Sequence, residues 1–277
     1  MKRLAFSLLA LSSAAIAACG TSGTSGGGTP SPAAPARFSY GPFTAQYQIS
    51  SHTRVQQDIQ GQVQVSEFGL VYFLSVSAAD EEGVTRLTMT LDSVPQLSGP
   101  LFSPSTGADA AGTTFTGILS PGGEILDFQA SNTTNPLVEQ LRPGLSRFFP
   151  RIPLGGVEAG QAWTDSVEIS SESGGLDILV EATAQFQAHD WGDRNGVRAL
   201  SANSDTDYTL SGGGMQGGSE ITIDGTGVSH GGFFLGADGR FLGGASADTA
   251  HMSAFVVAMG MDIPILQTRV DTVAVVR

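Results

Sequence analysis

The sequence predicts a mainly β protein: an antiparallel curved sheet or open barrel with one amphipathic helix near the middle of the chain. Three observations carry this. From Phe38 onward apolar and polar residues alternate with period two, turn residues recur every 8–15 positions, and one stretch only, around 137–148, follows the helical period instead. About a dozen short runs of this kind fit an antiparallel all-β domain better than a parallel one, which would interleave helices between strands.

The chain starts with Met1-Lys2-Arg3 and then runs from Leu4 to Ala18 in apolar and small residues. A short basic region before a short apolar run is the pattern of an export signal, and the run is too short to cross a bilayer as a helix. It ends in Ile16-Ala17-Ala18-Cys19, with the single cysteine of the chain at the last position. This stretch resembles the lipobox of bacterial lipoproteins, with Ile16 where Leu is usual and Ala18 where Gly is frequent. The resemblance implies removal of residues 1–18, lipidation of Cys19, and membrane attachment through the acyl chains. Two or more such chains hold a protein stably where one would not. Gly20 stands where a retention signal for the inner membrane places Asp. By the same resemblance, this points to the outer membrane, facing the periplasm.

Residues 20–36 read GTSGTSGGGTPSPAAPA. With no large apolar side chain they cannot build a core, so 19–37 is expected to be a lipidated cysteine followed by a tether, with an end-to-end distance of roughly 25 Å. Residues 38–277 then form a single β-rich domain. Removing residues 1–18 takes away Lys2 and Arg3, the first of these the only lysine, and leaves the charge two units more negative than the −13 of the whole chain. So acidic a surface repels nucleic-acid phosphates and offers no polybasic grip on anionic lipid heads.

In order along the domain, Phe43, Ala45, Tyr47 and Ile49 share a strand face, and so do Leu70, Tyr72, Leu74 and Val76. The turn Asp80-Glu81-Glu82-Gly83 leads to Leu87, Met89 and Leu91, which alternate with threonines. Next comes the exception. Leu137, Leu141, Leu145 and Phe148 fall at helical spacing, with Glu139, Gln140, Arg142 and Arg147 on the opposite side. Asn135 is placed to cap this helix and Pro136 suits its first position, while Pro143 should kink or split it. Beyond it Trp163, Val167 and Ile169 share a face, then Ala182, Ala184 and Phe186, then Ile221 and Ile223, and two long strands close the chain. Residues 115–126 and 231–242 have matching hairpin patterns, so two related halves and two chance hairpins are both open.

Chemistry is hard to find. The four histidines His52, His189, His230 and His251 lack metal-ligand spacing. No Gly-x-Ser-x-Gly elbow occurs, and Asp205 and Asp207 alone do not make a calcium loop. The segments 189–196 and 211–218 are expected to be hairpin connections, the second rich in glycine but without the ending of a phosphate loop. Neither a cofactor nor a metal is implied, and the chain reads as not an enzyme.

The layout of lipobox, tether, many strands and mid-chain helix resembles the LolA/LolB-like lipoprotein carrier superfamily and envelope lipoproteins of similar two-halved β layout. That resemblance is architectural, and it implies a β domain that binds or carries a lipid or other apolar ligand. Leu141, Leu145 and Phe148 would then lid a cavity with Trp163 at its wall. The alternatives are a non-catalytic envelope scaffold or protein-interaction module with a filled core, and an enzyme whose site follows no familiar pattern.

Overall fold

Alternating sequences with frequent turns can satisfy every backbone group by pairing each strand with its neighbours in the chain, and this chain does so over most of its length. A computed structural model describes residues 34–99, 104–173, 175–194, 196–216 and 218–276. The expected leader 1–18, Cys19 and most of the tether lie outside these. The described chain is mainly β, in one antiparallel sheet of eleven strands. They are β1 (Phe43–Ile59), β2 (Gln62–Glu81), β3 (Val84–Ser98), β4 (Thr114–Leu119), β5 (Ile125–Ala130), β6 (Ala162–Ser173), β7 (Leu176–Arg194), β8 (Val197–Gln216), β9 (Ser219–Gly236), β10 (Phe241–Val256) and β11 (Met261–Val275). Two helices interrupt them, α1 (Pro104–Ala110) and α2 (Pro136–Leu145). No helix among the described residues is long and apolar enough to cross a membrane.

The order β5-β4-β3-β2-β1-β11-β10-β9-β8-β7-β6 shows how the sheet is wound. First and last strands pair, Tyr47 opposite Val275 and Gln57 opposite Ile265. The two edges, β5 and β6, are consecutive in sequence and do not pair, so the curved sheet stays open. The 31-residue connection between them, 131–161, carries α2 and lies across the opening. Strands β7 to β9 have 18 to 20 residues, roughly 60 Å each, whereas β4 and β5 have six. The hairpins at 115–126 and 231–242 therefore end at the same end of the sheet but are not equal halves.

Helix α2 starts as the sequence indicates. The Asn135 side chain accepts from the amides of Leu137 and Val138, and Pro136 follows it. Leu137, Val138, Leu141 and Leu145 are buried, and Arg142 pairs outward with Glu139 at 3.3 Å. Two details differ from expectation. The helix is continuous through Pro143, and it ends at Leu145, short of Phe148. Pro143 has no N–H to give Glu139, and the chain beyond tightens: Arg147 N bonds Gly144 O and Phe148 N bonds Leu145 O. Helix α1 was not foreseen; its sequence PSTGADA has no apolar stripe to announce it.

The two expected connections are also corrected. Residues 189–194 belong to β7, which takes up one irregularity between Ala188 and Trp191, and residues 211–216 belong to β8. Among the described residues only Gly196 and Gly218 are left for the turns. Gly212, Gly213 and Gly214 allow close strand approach: a Cβ at Gly212 would run into the Asp177 carbonyl of β7.

Candidate functional site

Because side chains alternate between the faces, the inner face of the sheet can be read across the strands, row by row. It is layered. Near the α2 end lies an apolar layer with Tyr47, Leu74, Met89, Phe233 and Phe241, joined by Phe148 and Phe149 from the turn after α2. At the other end is a second apolar layer with Leu210, Ile221, Ile223, Val256, Ile263 and Ile265. Between them crosses a polar belt. One row holds Ser204, Ser246, Asp271 and Ser51; the next holds Thr206, Ser229, Asp248, Arg269 and Thr53; Tyr208 and Gln267 stand in a third. Ser204, Ser229, Ser246, Asp248, Gln267, Asp271 and Thr53 are all buried.

Buried polar groups are tolerated when paired, and most of these are. Arg269 Nε lies 2.8 Å from Asp271 Oδ2, with both side chains little exposed. The Tyr208 hydroxyl donates to Asp248 Oδ1 at 3.1 Å. Gly227 makes this possible: on β9 it stands opposite Tyr208, and a Cβ there would strike the tyrosine ring, which crosses this bare position toward β10. Asp248 Oδ2 is buried without a hydrogen-bond partner. Burial pushes the Asp248 carboxyl up to about 6; the Tyr208 hydrogen bond and the Arg269 charge pull against this, and Asp271 adds to it.

Above the belt, the connection 131–161 is fixed to the sheet by particular bonds. Tyr40 OH donates to Pro150 O at 2.9 Å, Ile152 N to Gly122 O at 2.9 Å, and Trp163 Nε1 to Arg151 O at 2.9 Å. The chain start joins the same cluster, where Phe38 is buried and pairs with Val157. Two cavities remain beside this segment. The larger, about 140 Å³, is roofed by Ser146, Arg147, Phe149, Pro150 and Arg151. Its walls are Asp165, Val167 and Ile169 of β6, Val180, Ala182, Ala184 and Phe186 of β7, Ser204, Thr206 and Tyr208 of β8, and Ser229 and Phe233 of β9, with Gly123 and Glu124 at its edge. The smaller, about 90 Å³, lies under α2 between Leu137, Gln140, Leu141, Ile49, Tyr72 and Arg269.

The four ligand-binding candidates read from the sequence fall in different places. Leu141 borders the smaller cavity. Leu145 and Phe148 are buried in the core, Phe148 with its ring edge-on to Tyr47, Phe149 and Phe241. Trp163 stacks on Phe186, a wall of the larger cavity, at 5.0 Å and 8°. Cys19 lies outside the described residues. Missed were Phe149, Tyr208, Ser229 and Arg147, and the whole belt. Part of the belt had a signal: Asp248 shares strand parity with Ala250 and Met252, and Arg269 and Asp271 share it with Ile265 and Val273, so each is a charge on an otherwise apolar face.

Outside the belt, Glu124 and Asp165 line the larger cavity beside Arg151. Asp205 meets His230 at 2.7 Å on the exposed outer face. Among the described residues no group of three or more His, Cys, Asp or Glu could hold a metal ion.

No family model matches the chain, and neither does any curated protein. A solved structure, that of Pseudomonas aeruginosa OccK8 (OprE), is similar over 84% of this chain and 98% of its own at 8% identity, with a TM-score of 0.23. At that score the likeness carries neither fold nor function to this chain.

Proposed function

We propose that this chain is a membrane-anchored envelope lipoprotein, held through lipid on Cys19, whose β domain binds an apolar or amphiphilic ligand. The observation that supports the binding is the 140 Å³ cavity between the 146–151 segment and strands β6 to β9, walled mainly by apolar side chains. A dry cavity of about 150 Å³ takes up benzene, so this one suits a ring or a short alkyl segment. A full acyl chain would need the 146–151 segment to move. The anchor rests on the lipobox resemblance of Ile16 to Cys19, and placement at the outer membrane, facing the periplasm, on Gly20. The second reading, a scaffold with a filled core, is favoured by the ring cluster of Tyr47, Phe148, Phe149 and Phe241, which leaves the α2 end of the inner face packed. The reading assigns no reaction and no cofactor.

Two measurements test it. Hexanol titrated into the protein should perturb tryptophan fluorescence, because Trp163 stacks on the cavity wall. Ala184→Leu, which fills the cavity, should abolish that response while thermal unfolding stays cooperative. Equal binding by both proteins would remove the cavity from the argument, and no binding by either would leave the scaffold. For the anchor, metabolic labelling with an acyl probe should mark the protein in its host but not Cys19→Ser; equal label on both would refute it.

A further inference from the structure

The cavity roof carries two guanidinium groups, Arg147 and Arg151, above an apolar β6–β7 wall; Glu124, Asp165 and the hydroxyls of Ser204, Thr206, Tyr208 and Ser229 also line the space. The two guanidinium groups are not equivalent. Arg151 is neutralised locally, with Glu124 at 2.6 Å and Asp165 at 3.9 Å. Arg147 has no carboxylate within 4.0 Å among the described residues; its Nη2 donates to the backbone carbonyl of Glu168 at 3.2 Å. It is also half-buried, and desolvation followed by the like charge of Arg151 lowers its pKa, with Asp165 opposing this. A cation that is part-buried, repelled by its neighbour and bonded to one neutral acceptor is an incomplete electrostatic arrangement.

We infer that the ligand of this cavity is an anionic amphiphile, its carboxylate or phosphate held by Arg147 at the roof and its apolar part lodged beneath the roof against the inner face of β6 and β7. This deepens the proposed function and rests on it. The chain fixes Arg147 where such a head would sit. It lies between Leu145 and Phe148, both buried in the core, so its stem leaves the roof at the cavity edge. Guanidinium offers a planar fork that matches a carboxylate or phosphate in two bonds, which an ammonium would not. Below the head, Val167, Val180, Ala182 and Phe186 present an apolar surface. The net charge of −13 disfavours an anion at long range. Preference for an anionic over a neutral ligand of equal length must therefore come from the local guanidinium contact.

The test compares three six-carbon probes on the full chain, hexanoate, hexanol and hexylamine, followed by tryptophan fluorescence. Hexanoate should bind at least tenfold more tightly than hexanol, and hexylamine more weakly than both. Arg147→Gln should erase the hexanoate advantage and leave hexanol unchanged, Arg147→Lys should restore part of it, and Arg142→Gln, on the exposed side of α2, should change nothing. Thermal unfolding of each variant establishes that it is folded. If hexanol and hexanoate bind alike, or hexanoate binding survives Arg147→Gln, the anion inference fails while the apolar cavity stands. If no probe binds, both fail. The same series with hexyl phosphate identifies the head: tighter binding than hexanoate assigns phosphate, weaker binding assigns carboxylate, and a response insensitive to Arg147→Gln overturns the role of Arg147 for either.

Discussion

The two apolar layers flanking the polar belt are built by different means. The one distant from α2 is aliphatic and comes from strands alone: Leu176 and Ile178 of β7, Ile221 and Ile223 of β9, Ala254 and Val256 of β10, Ile263 and Ile265 of β11. Period-two alternation in long hairpins places each of these side chains, and neighbouring strands hold it in register. The layer beside α2 is aromatic, and its centre comes from parts far apart in the chain. Tyr47 of β1, Phe241 of β10, and Phe148 and Phe149 from the post-helical turn meet with ring centroids 5.0–6.4 Å apart. An irregular segment laid over a sheet cannot interdigitate as regularly as strand with strand. Both cavities described above border that segment. The extended hairpins supply a rigid wall, and the place where something else can bind is where regular pairing stops.

Three comparisons of variants would break or sharpen this contrast. The largest effect is expected at Phe241, which is fully buried and touches three other rings. Phe241→Ala should cost about 3–5 kcal/mol in urea unfolding, whereas Ile223→Val in the aliphatic layer should cost about 0.5–1.5 kcal/mol. Equal losses would mean that the aromatic layer is no more than ordinary core.

Within α2 the contrast is finer. Leu145 is 1% exposed and borders neither cavity, while Leu141 is 8% exposed and borders the smaller one. Truncation to Ala should therefore fall toward the upper part of the roughly 2–5 kcal/mol range for Leu145 and near about 2 kcal/mol for Leu141. The reverse order would show that the space under α2 does not lower the packing of its neighbours.

The smallest effect concerns the belt. The Asp248 carboxyl titrates at about 6 when folded, above the ordinary value of 3.8. The folded protein thus holds a proton there that the unfolded chain has lost, and between about pH 4 and 6 this contribution falls as pH rises. Above pH 6 it is constant and unfavourable. Asp248→Asn keeps an oxygen for Tyr208 and carries no charge, so it should raise stability at pH 7 by on the order of 1–2 kcal/mol and by much less at pH 4. Unfolding midpoints of both proteins across this range would decide it. A variant less stable than the parent at neutral pH would mean that the buried charge is held favourably by Arg269.

Much of the fold was legible in local pattern. Phe43 to Ile49, Leu70 to Val76 and Leu87 to Leu91 fall on the faces their alternation assigns, and Asn135 and Pro136 start the helix as their chemistry requires. What was misjudged had polar or glycine-rich sequence inside paired strands. Residues 189–194 and 211–216 look like connections because turn propensity is local, yet each gains its partner from a long hairpin that overrides it. Helix α2 stops short of Phe148 in a tightened turn, with Arg147 N bonded to Gly144 O and Phe148 N to Leu145 O.

The sequence by itself determined the strand faces, the mid-chain helix and its cap, because these follow from side-chain periodicity and from hydrogen bonds within a few residues. Tertiary structure alone decided that β1 pairs with β11, that β5 and β6 stay apart, and that 146–151 roofs a cavity. Those facts depend on contacts across more than a hundred residues, such as Tyr40 with Pro150 or Tyr47 with Phe241, and no local propensity encodes them. The belt lies between the two cases. Parity puts Asp248, Arg269 and Asp271 on the inner face, but only the winding of the sheet sets Arg269 against Asp271, brings Tyr208 across Gly227 to Asp248, and leaves Arg147 at the cavity edge with no carboxylate within 4.0 Å among the described residues.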